Sequence, residues 1–490
     1  MGLKEQTAGT IKWNLVDKVV TQLLYALTGI VLARQLSTED FGLVGAALVV
    51  QAFALMFVDS GFASALLQRK SPDERDYSTV FWFNMGVSTG LYVLLWFAAP
   101  LIAWWFHSDE LVPLCRVMFL SLPLNALGIV QQNRLVKRMN VRPVAVSNVL
   151  ALSAGSVAGI AMALTVANAW AIVVQTLVNT AGRSLVLWIW TRWRPSACFS
   201  WSVLRSYFKV GSGVMAQSFL NNVFLNVYGI FIGNRVGMVS LGLYSQADKW
   251  SKMIYTSVMS TLTTSFLPAL AEVRDDHSRL MRVVAKMNRF SSYVVFIAMG
   301  GVIIVAEPLF HLLFGSKWDA SIILFQLLLL RGIFTTFTSL FSNYILAMGN
   351  SRMLVITELV RDGVALAALV ACFPVLGWSR PDRPVYGLEL MLYGQLAAAV
   401  LMWGFSLYVA ARSVGSTVWR FLVQTLGSLL PASVALVVAW RVSVFFSGEP
   451  LFALVSAAAA GLSVYLLINL RSSVQKDLLP GRNKNRRNHD

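Results

Sequence analysis

Charged residues are scarce in this sequence. Of its 490 residues, 13% are Asp, Glu, Lys or Arg and 57% are hydrophobic, whereas an ordinary soluble domain carries about 25% charged residues. The mean hydropathy is +0.65. A chain of this composition cannot cover its surface with polar groups, so we expect lipid to be its solvent. The composition excludes an ordinary soluble globular fold.

Cysteine and histidine are also rare, with 3 Cys (Cys115, Cys198 and Cys372) and 4 His. The cysteines are widely spaced and form no C-x-x-C motif, which argues against a disulfide framework and a metal site. We therefore expect no metal and no cofactor. The polar N-terminus, MGLKEQTAGTIKWN, lacks the apolar core and cleavage site of a signal peptide. We expect the first spanning helix to act as the insertion signal.

Long apolar stretches, bounded by charged residues, run through the whole chain. A membrane-spanning helix needs roughly 20 mostly apolar residues. The stretches are 19–33, 41–58, 77–108, 117–133, 143–182, 210–234, 253–271, 290–306, 320–351, 363–379, 390–411, 421–440 and 450–470.

The stretch 143–182 contains no Asp, Glu, Lys or Arg and is too long for a single span. Its central VANAW, residues 166–170, is typical of a tight turn. We interpret the stretch as a helical hairpin, which brings the predicted total to fourteen spans. The stretch 320–351 is predicted to be one long helix that carries Arg331.

Lysine and arginine are distributed unevenly between the predicted loops. With the N-terminus in the cytoplasm, the outside segments hold only Arg34, Arg235, Lys317, Arg380, Arg383 and Arg441. Most of the other cations fall in inside segments, as the positive-inside rule requires. This bias predicts an even number of spans with both termini in the cytoplasm. The basic tail GRNKNRRNHD is interpreted as an anchor to anionic lipid rather than a nucleic-acid-binding segment.

Three pairs of segments indicate an internal repeat. FGLVGAA at 41–47 matches LGLYSQA at 241–247, and Pro100 and Asn133 match Pro308 and Asn343 in the same order. Transporters are often built from such duplications. We predict an N-terminal six-helix lobe (1–205), a second six-helix lobe (206–415), two further helices (416–471) and a basic tail (472–490).

Several segments resemble a known family, among them LARQLSTEDFGLVG, DSGFASALLQR, STVFWFN, APLIAWWF, WRP at 193–195, LGLYSQAD and AEPLFHLLFGSKWDAS. They are similar to the Wzx-type polysaccharide-transporter flippases of the MOP exporter superfamily, in the branch that exports colanic acid-type and teichuronic acid-type repeat units. The resemblance covers about residues 10–360. It implies an all-helical fold of two six-helix lobes plus two C-terminal helices, in a V shape.

The resemblance also implies a function. Such proteins flip oligosaccharide repeat units linked to undecaprenyl diphosphate from the cytoplasmic to the periplasmic face by alternating access. Membrane lipids, polysaccharide polymerases and assembly proteins are the other candidate partners. The chain departs from the family pattern after LGLYSQAD, because Lys249 and Lys252 stand where uncharged polar residues are usual.

Polar side chains recur at helical spacing within three predicted spans, the first, seventh and eighth. Polar groups inside a membrane usually face a cavity, although Asn, Ser and Gly also hold helices together. We expect these stripes to contribute cavity residues, and their carboxylates to couple transport to protons or sodium ions. The candidates are Asn14, Asp17, Gln22, Tyr25, Asn222, Asn226 and Asp248.

Six cations within predicted spans are candidate contacts for the diphosphate. Lys and Arg offset the cost of burying phosphate charge by forming charge-assisted hydrogen bonds. The alternative role is an ion pair between helices, such as Asp248 with Lys252, four residues apart. The candidates are Lys18, Arg116, Arg183, Lys249, Lys252 and Arg331.

Two other functions compete with the flippase. A drug or cation exporter of the same superfamily would favour carboxylates in its cavity, whereas the charges within spans here lean cationic. A membrane enzyme acting on a lipid-linked glycan would need clustered acid and base residues near one membrane face. The sequence contains no such cluster, so we expect a transporter and not an enzyme.

Thiol labelling in whole cells tests the predicted orientation. A single cysteine at Ser108 in a Cys-free background should react with a membrane-impermeant reagent, because the positive-inside rule places it outside. A cysteine at Ser71 should react only after the membrane is opened. The reverse pattern would contradict the orientation.

Overall fold

The computed structural model describes residues 3–59, 62–273, 275–378, 380, 385–446 and 448–469. This part of the chain folds into α-helices joined by short turns. Their bounds are α1 Leu3–Gln35, α2 Thr38–Asp59, α3 Phe62–Gln68, α4 Glu74–Phe106, α5 Leu111–Met118, α6 Ser121–Lys137, α7 Arg142–Thr165, α8 Trp170–Thr191, α9 Trp201–Arg235, α10 Met238–Val273, α11 His277–Ile304, α12 Ala306–Leu313, α13 Asp319–Ala347, α14 Ser351–Cys372, α15 Tyr386–Val414, α16 Val418–Leu426, α17 Leu429–Phe445 and α18 Pro450–Asn469.

Within the described residues, 11 segments are long and apolar enough to cross a membrane. Two of them, Leu111–Lys137 and Val418–Phe445, are each formed by two consecutive helices. The helices α9, α10 and α14 have 35, 36 and 22 residues and contain more polar side chains. They are the elements that would complete fourteen spans, and that number stays a prediction.

The predicted hairpin and the predicted long helix are both confirmed. Helices α7 and α8 are separated only by residues 166–169, and Ala167 there adopts a φ of 51°. The two helices pack closely, since a Cβ added to Gly155 would lie 2.7 Å from the carbonyl oxygen of Gln175. Arg331 lies inside α13, as predicted.

The contacts divide the chain into two compact units, Met1–Ser245 and Gln246–Asp490. In the first unit α8 packs against α6 and α7, and α7 also contacts α1. In the second unit α13 packs against α11 and α15, while α17 pairs with α18. The predicted assignment of residues 1–205 and 206–415 to separate lobes stays a prediction.

The start of α2 is built by the LSTED part of the resemblance motif. Ser37 Oγ accepts a hydrogen bond from Asp40 N at 3.1 Å, and Asp40 Oδ2 accepts one from Ser37 N at 2.9 Å. This reciprocal capping satisfies amide groups at the helix start that have no partner within the helix. Asp40 Oδ1 also accepts from Ala169 N at 2.8 Å, which ties α2 to the α7–α8 turn.

Two glycines bring the starts of α2 and α10 into backbone contact. A Cβ added to Gly42 would lie 1.9 Å from Met238 O, and one added to Gly242 would lie 1.8 Å from Thr38 O. Gly42 and Gly242 occupy equivalent positions in FGLVGAA and LGLYSQA. The repeated motif therefore encodes a reciprocal contact in which each helix requires the other's glycine.

Replacing either glycine should separate these helices. We expect Gly42→Ala or Gly242→Ala to lower stability by about 1–3 kcal/mol, because the added methyl group overlaps a backbone carbonyl that cannot move alone. Gly86→Ala is the matched control, since a Cβ at that helical position meets nothing within 4 Å. Thermal unfolding in detergent measures the difference. Equal melting temperatures for the three variants would contradict the contact.

Candidate functional site

A cluster of charges lies within the second unit, on α10 and α13. Asp248 Oδ2 is 2.6 Å from Lys252 Nζ, and Asp248 Oδ1 is 3.9 Å from Arg331 Nη2. The Asp248 side chain is 15% exposed and that of Arg331 is 19% exposed. One carboxylate therefore faces two cations in a largely buried setting.

One more residue, Gln395, extends this cluster. Arg331 Nη1 donates a hydrogen bond to Oε1 of Gln395, which is buried on α15. Lys249, next to Asp248 in sequence, is exposed, and its Nζ lies 5.6 Å from the centroid of the Trp250 ring. Two cations thus meet one carboxylate in this cluster, and the excess positive charge suits an anion.

The first unit contains a comparable polar network on α1, α6, α7 and α8. Asn148 Nδ2 donates to Asp17 Oδ2 at 2.9 Å. Arg183 Nη2 donates to Gln132 Oε1, and the Arg183 charge also acts on the Asp17 carboxylate. The network places a carboxylate, a guanidinium and two amides inside the apolar bundle.

The polar stripe predicted on the first helix divides between two directions. Thr28 is buried, with Oγ1 2.7 Å from Ser156 Oγ, so it and Asp17 both face α7. Positions 17 and 28 are about three helical turns apart and share one side of the helix. Asn14, Lys18 and Tyr25 are exposed. Part of the stripe therefore packs the helix, and part remains accessible.

Other predicted site residues have different settings. Gln22 and Asn226 are half-buried, and the side chain of Asn222 lies outside the described residues. Arg116 Nε lies 3.4 Å from the carbonyl oxygen of Trp96, and the Arg116 guanidinium lies 5.0 Å from the Trp96 ring centroid. This contact with α4 favours an anchoring role for Arg116.

The glycines that continue the polar stripe of α9 pack against neighbouring helices. A Cβ on Gly229 would lie 2.9 Å from Val49, and one on Gly233 would lie 2.5 Å from the Phe106 ring. The sequence left two uses open for this stripe, a cavity face and helix–helix packing. At these two positions the contacts indicate packing.

A further arginine is held in place by structural contacts. Arg134, on α6, lies 4.6 Å from the ring centroid of Tyr77 and 4.9 Å from that of Trp193. Its Nη1 is 2.8 Å from Glu74, which also accepts a hydrogen bond from Trp193 Nε1. Trp193, the first residue of the WRP segment, therefore supplies one of the two aromatic rings that contact this buried cation.

The charges of α14 satisfy one another. Arg361 pairs with Glu358 and, at 3.0 Å, with Asp362. A carboxylate three residues before the arginine and another beside it balance its charge within one helix. These pairs indicate a structural role for the three residues.

A family model described as "Polysaccharide biosynthesis protein" matches residues 31–323, which is more than half of the chain. The chain belongs to this polysaccharide biosynthesis protein family. The matched region contains Gln132, Asn148, Arg183, Asp248 and Lys252, but it does not reach Asp17, Arg331 or Gln395. The resemblance stated from the sequence motifs is confirmed.

Relatives in three bacteria are similar over most of their length. The succinoglycan biosynthesis transport protein ExoT of Rhizobium meliloti is 26% identical over 94% of this chain and 92% of its own. The teichuronic acid biosynthesis protein TuaB of Bacillus subtilis is 23% identical over 72% and 73%. The lipopolysaccharide biosynthesis protein WzxC of Escherichia coli is 25% identical over 68% of each chain.

Solved structures show which fold this family member adopts. The lipid II flippase MurJ in an inward closed conformation superposes with a TM-score of 0.73, at 16% identity, over 96% of this chain and 99% of its own. An inward-facing multidrug resistance MATE transporter of the MOP superfamily gives 0.61, at 15% identity, over 82% and 99%. The predicted all-helical, multi-span membrane fold of this superfamily is confirmed.

Three residues of the two networks were not predicted from the sequence, namely Asn148, Gln132 and Gln395. All are uncharged amides within apolar spans, where helix–helix packing is the commoner use. Gln395 lies beyond the region covered by the motif resemblance. The signal that could have identified Gln132 and Gln395 is an amide side chain at a membrane depth similar to that of an arginine in another span.

The structural role of Arg134 can be tested by its effect on stability. We expect Arg134→Gln to lower stability by about 2 kcal/mol, because it removes two cation–π contacts and a hydrogen bond to a carboxylate. Arg279→Gln is the control. Arg279 pairs with Glu272 at 3.4 Å with both side chains exposed, so its loss should cost little. Thermal unfolding of the purified variants measures both, and equal losses would contradict the assignment.

Proposed function

We propose that this protein is a flippase for lipid-linked oligosaccharides. It moves repeat units linked to undecaprenyl diphosphate from the cytoplasmic to the periplasmic face of the bacterial inner membrane, by alternating access. Both termini lie in the cytoplasm in this proposal. The substrate's lipid tail stays in the bilayer, while its diphosphate and sugars need a polar route through the protein.

The observation that carries the proposal is the pair of cations, Lys252 and Arg331, that meet Asp248, with a third cation, Lys249, next to it in sequence. A diphosphate carries about two negative charges, and burying them unpaired in hydrocarbon is prohibitive. These side chains carry more positive than negative charge, on helices that the proposal places in the membrane. Lys252 is 34% exposed at its side chain, so a ligand has access to it.

The relatives support the same chemistry. Their names describe transport or biosynthesis of succinoglycan, teichuronic acid and lipopolysaccharide, all of them polysaccharides. The fold is shared with a flippase named for lipid II. Family membership and intramembrane cations together favour an anionic, lipid-linked glycan as the substrate.

The rival functions fit the charges less well. An exporter of cationic drugs would bring its substrate next to Lys249, Lys252 and Arg331, and like charges repel at short range. A membrane enzyme would need acid and base groups gathered near one membrane face. We therefore propose transport without catalysis.

Ion coupling would use the carboxylates of the two polar networks, Asp17 and Asp248. Each lies among hydrogen-bond donors or cations inside its bundle. A carboxylate in such a place can take up a proton or bind sodium as its surroundings change. Normal transport by both Asp17→Asn and Asp248→Asn under proton and sodium gradients would rule out this role.

Reconstitution tests the function directly. Vesicles containing the protein should translocate an undecaprenyl-diphosphate-linked oligosaccharide, measured by access of an external glycan-modifying enzyme. Lys252→Gln should reduce the rate at least about tenfold, because it removes a charge-assisted contact with phosphate. Lys252→Arg should keep part of the activity, since it retains the charge.

Two controls complete this experiment. Lys286→Gln removes an exposed lysine on α11, away from the cluster, and should transport normally. The melting temperature of Lys252→Gln should stay close to that of the wild type. If the wild type translocates no lipid-linked glycan, the proposed function is wrong. Normal transport by Lys252→Gln would remove this lysine from the site.

A further inference from the structure

Each unit of the protein contains an arginine held by a glutamine from a neighbouring helix. In the first unit, Arg183 on α8 donates to Oε1 of Gln132 on α6. In the second unit, Arg331 on α13 donates to Oε1 of Gln395 on α15. Both arginines lie deep in their helices, about 20 Å and about 18 Å from the helix starts.

The same pairing occurs with the residue types exchanged. Under the predicted repeat, α6 and α13 are the fourth helices of the two copies, and α8 and α15 are the sixth. The first copy has its glutamine on the fourth helix and its arginine on the sixth. The second copy has them the other way round. The recurrence of one pairing between equivalent helices, from different residues, indicates a shared requirement for it.

A carboxylate accompanies each pair. Asp17 interacts electrostatically with Arg183 and accepts a hydrogen bond from Asn148. Asp248 lies 3.9 Å from Arg331 and is closer, at 2.6 Å, to Lys252. In the second unit, therefore, the nearest carboxylate is shared with a lysine and cannot balance Arg331 alone.

The chemistry of the amide explains why glutamine suits this place. A guanidinium has five N–H donors, and Gln Oε1 accepts one of them without changing the net charge. The amide thereby orients the guanidinium without cancelling its charge. A glutamate at the same position would orient the guanidinium equally well but would neutralise it.

Gln395 also has a buried donor that could bind a ligand. Its side chain is buried, with 4% of the residue exposed, and its Nε2 has no hydrogen-bond partner among the described residues. A buried amide donor without a partner is unfavourable, and an acceptor that reached it would relieve the cost. A phosphate oxygen bound at Arg331 is an acceptor of the required kind.

We propose that Gln132 and Gln395 are positioning residues, each of which holds an arginine in place, still charged, to receive the diphosphate of the transported lipid. The inference rests on the proposed function and adds to it two residues, Gln132 and Gln395, each of which positions an arginine through an uncharged hydrogen bond. An amide is needed at these positions because it orients the guanidinium without neutralising its charge. Each unit supplies one such arginine for phosphate binding.

The alternative is that the glutamines only bridge helices, as amides do in membrane bundles. The two roles differ in how they respond to a carboxylate. A bridge to arginine is kept when glutamine becomes glutamate, since the two side chains have nearly the same shape. Phosphate binding is lost, because the new carboxylate neutralises the guanidinium and repels the anion.

The test measures binding of undecaprenyl diphosphate to the purified protein in detergent, with uncharged undecaprenol as the reference lipid. We expect Gln132→Glu and Gln395→Glu each to weaken diphosphate binding by about tenfold or more, while undecaprenol binding is unchanged. Their melting temperatures should equal or exceed that of the wild type. Gln132→Met and Gln395→Met remove the acceptor but add no charge, and should give smaller losses.

Gln326→Glu is the matched control, because it places the same change on α13 at a glutamine that bonds a carbonyl of α11 and not the guanidinium. Gln326 Nε2 donates to the carbonyl oxygen of Ile303, and the variant should bind the diphosphate as the wild type does. Wild-type affinity in the Gln132→Glu and Gln395→Glu proteins would overturn the inference, as would a loss of affinity matched by a fall in melting temperature. A wild type that does not prefer the diphosphate to undecaprenol would instead overturn the proposed function.

Discussion

The structure depends on one constraint, which is that hydrocarbon solvates neither backbone polar groups nor charges. Helices satisfy the backbone within each segment, and every buried ionic group needs a partner nearby. Asp248 meets Lys252 at 2.6 Å, Asp17 meets Asn148 at 2.9 Å, and Arg134 lies between two aromatic rings beside Glu74. The contacts of Asp17 and Arg134 also join helices that are distant in sequence.

The kind of partner distinguishes the roles of the arginines. Arg361 is balanced by two carboxylates of its own helix, and Arg134 is enclosed by rings and a glutamate. Such charges are already compensated and serve the fold. Arg183 and Arg331 also interact with carboxylates, those of Asp17 and Asp248, but each is held by a hydrogen bond to a neutral amide. An amide orients a guanidinium without cancelling its charge, so these two positions keep their attraction for an anion.

Small residues lie where two helices must touch. Gly42 and Gly242 occupy matching places in two similar motifs, FGLVGAA and LGLYSQA, and each faces the backbone of the other's helix. Without a hydrophobic drive between helices in lipid, close packing through small residues is a main source of association. The two similar motifs therefore encode this contact.

The sequence alone determined the membrane class, the α7–α8 hairpin, the long α13 and the family, because hydropathy, turn residues and local motifs act over a few residues. It also identified Asp17, Asp248 and the intramembrane cations, since charge in an apolar span stands out in any reading. A local pair such as Asp248 with Lys252 was also visible in the sequence, but only the tertiary structure decided which partners the charges have on other helices. Gln395 meets Arg331 across 64 positions of sequence, and no local pattern specifies a pairing that depends on how separate helices pack.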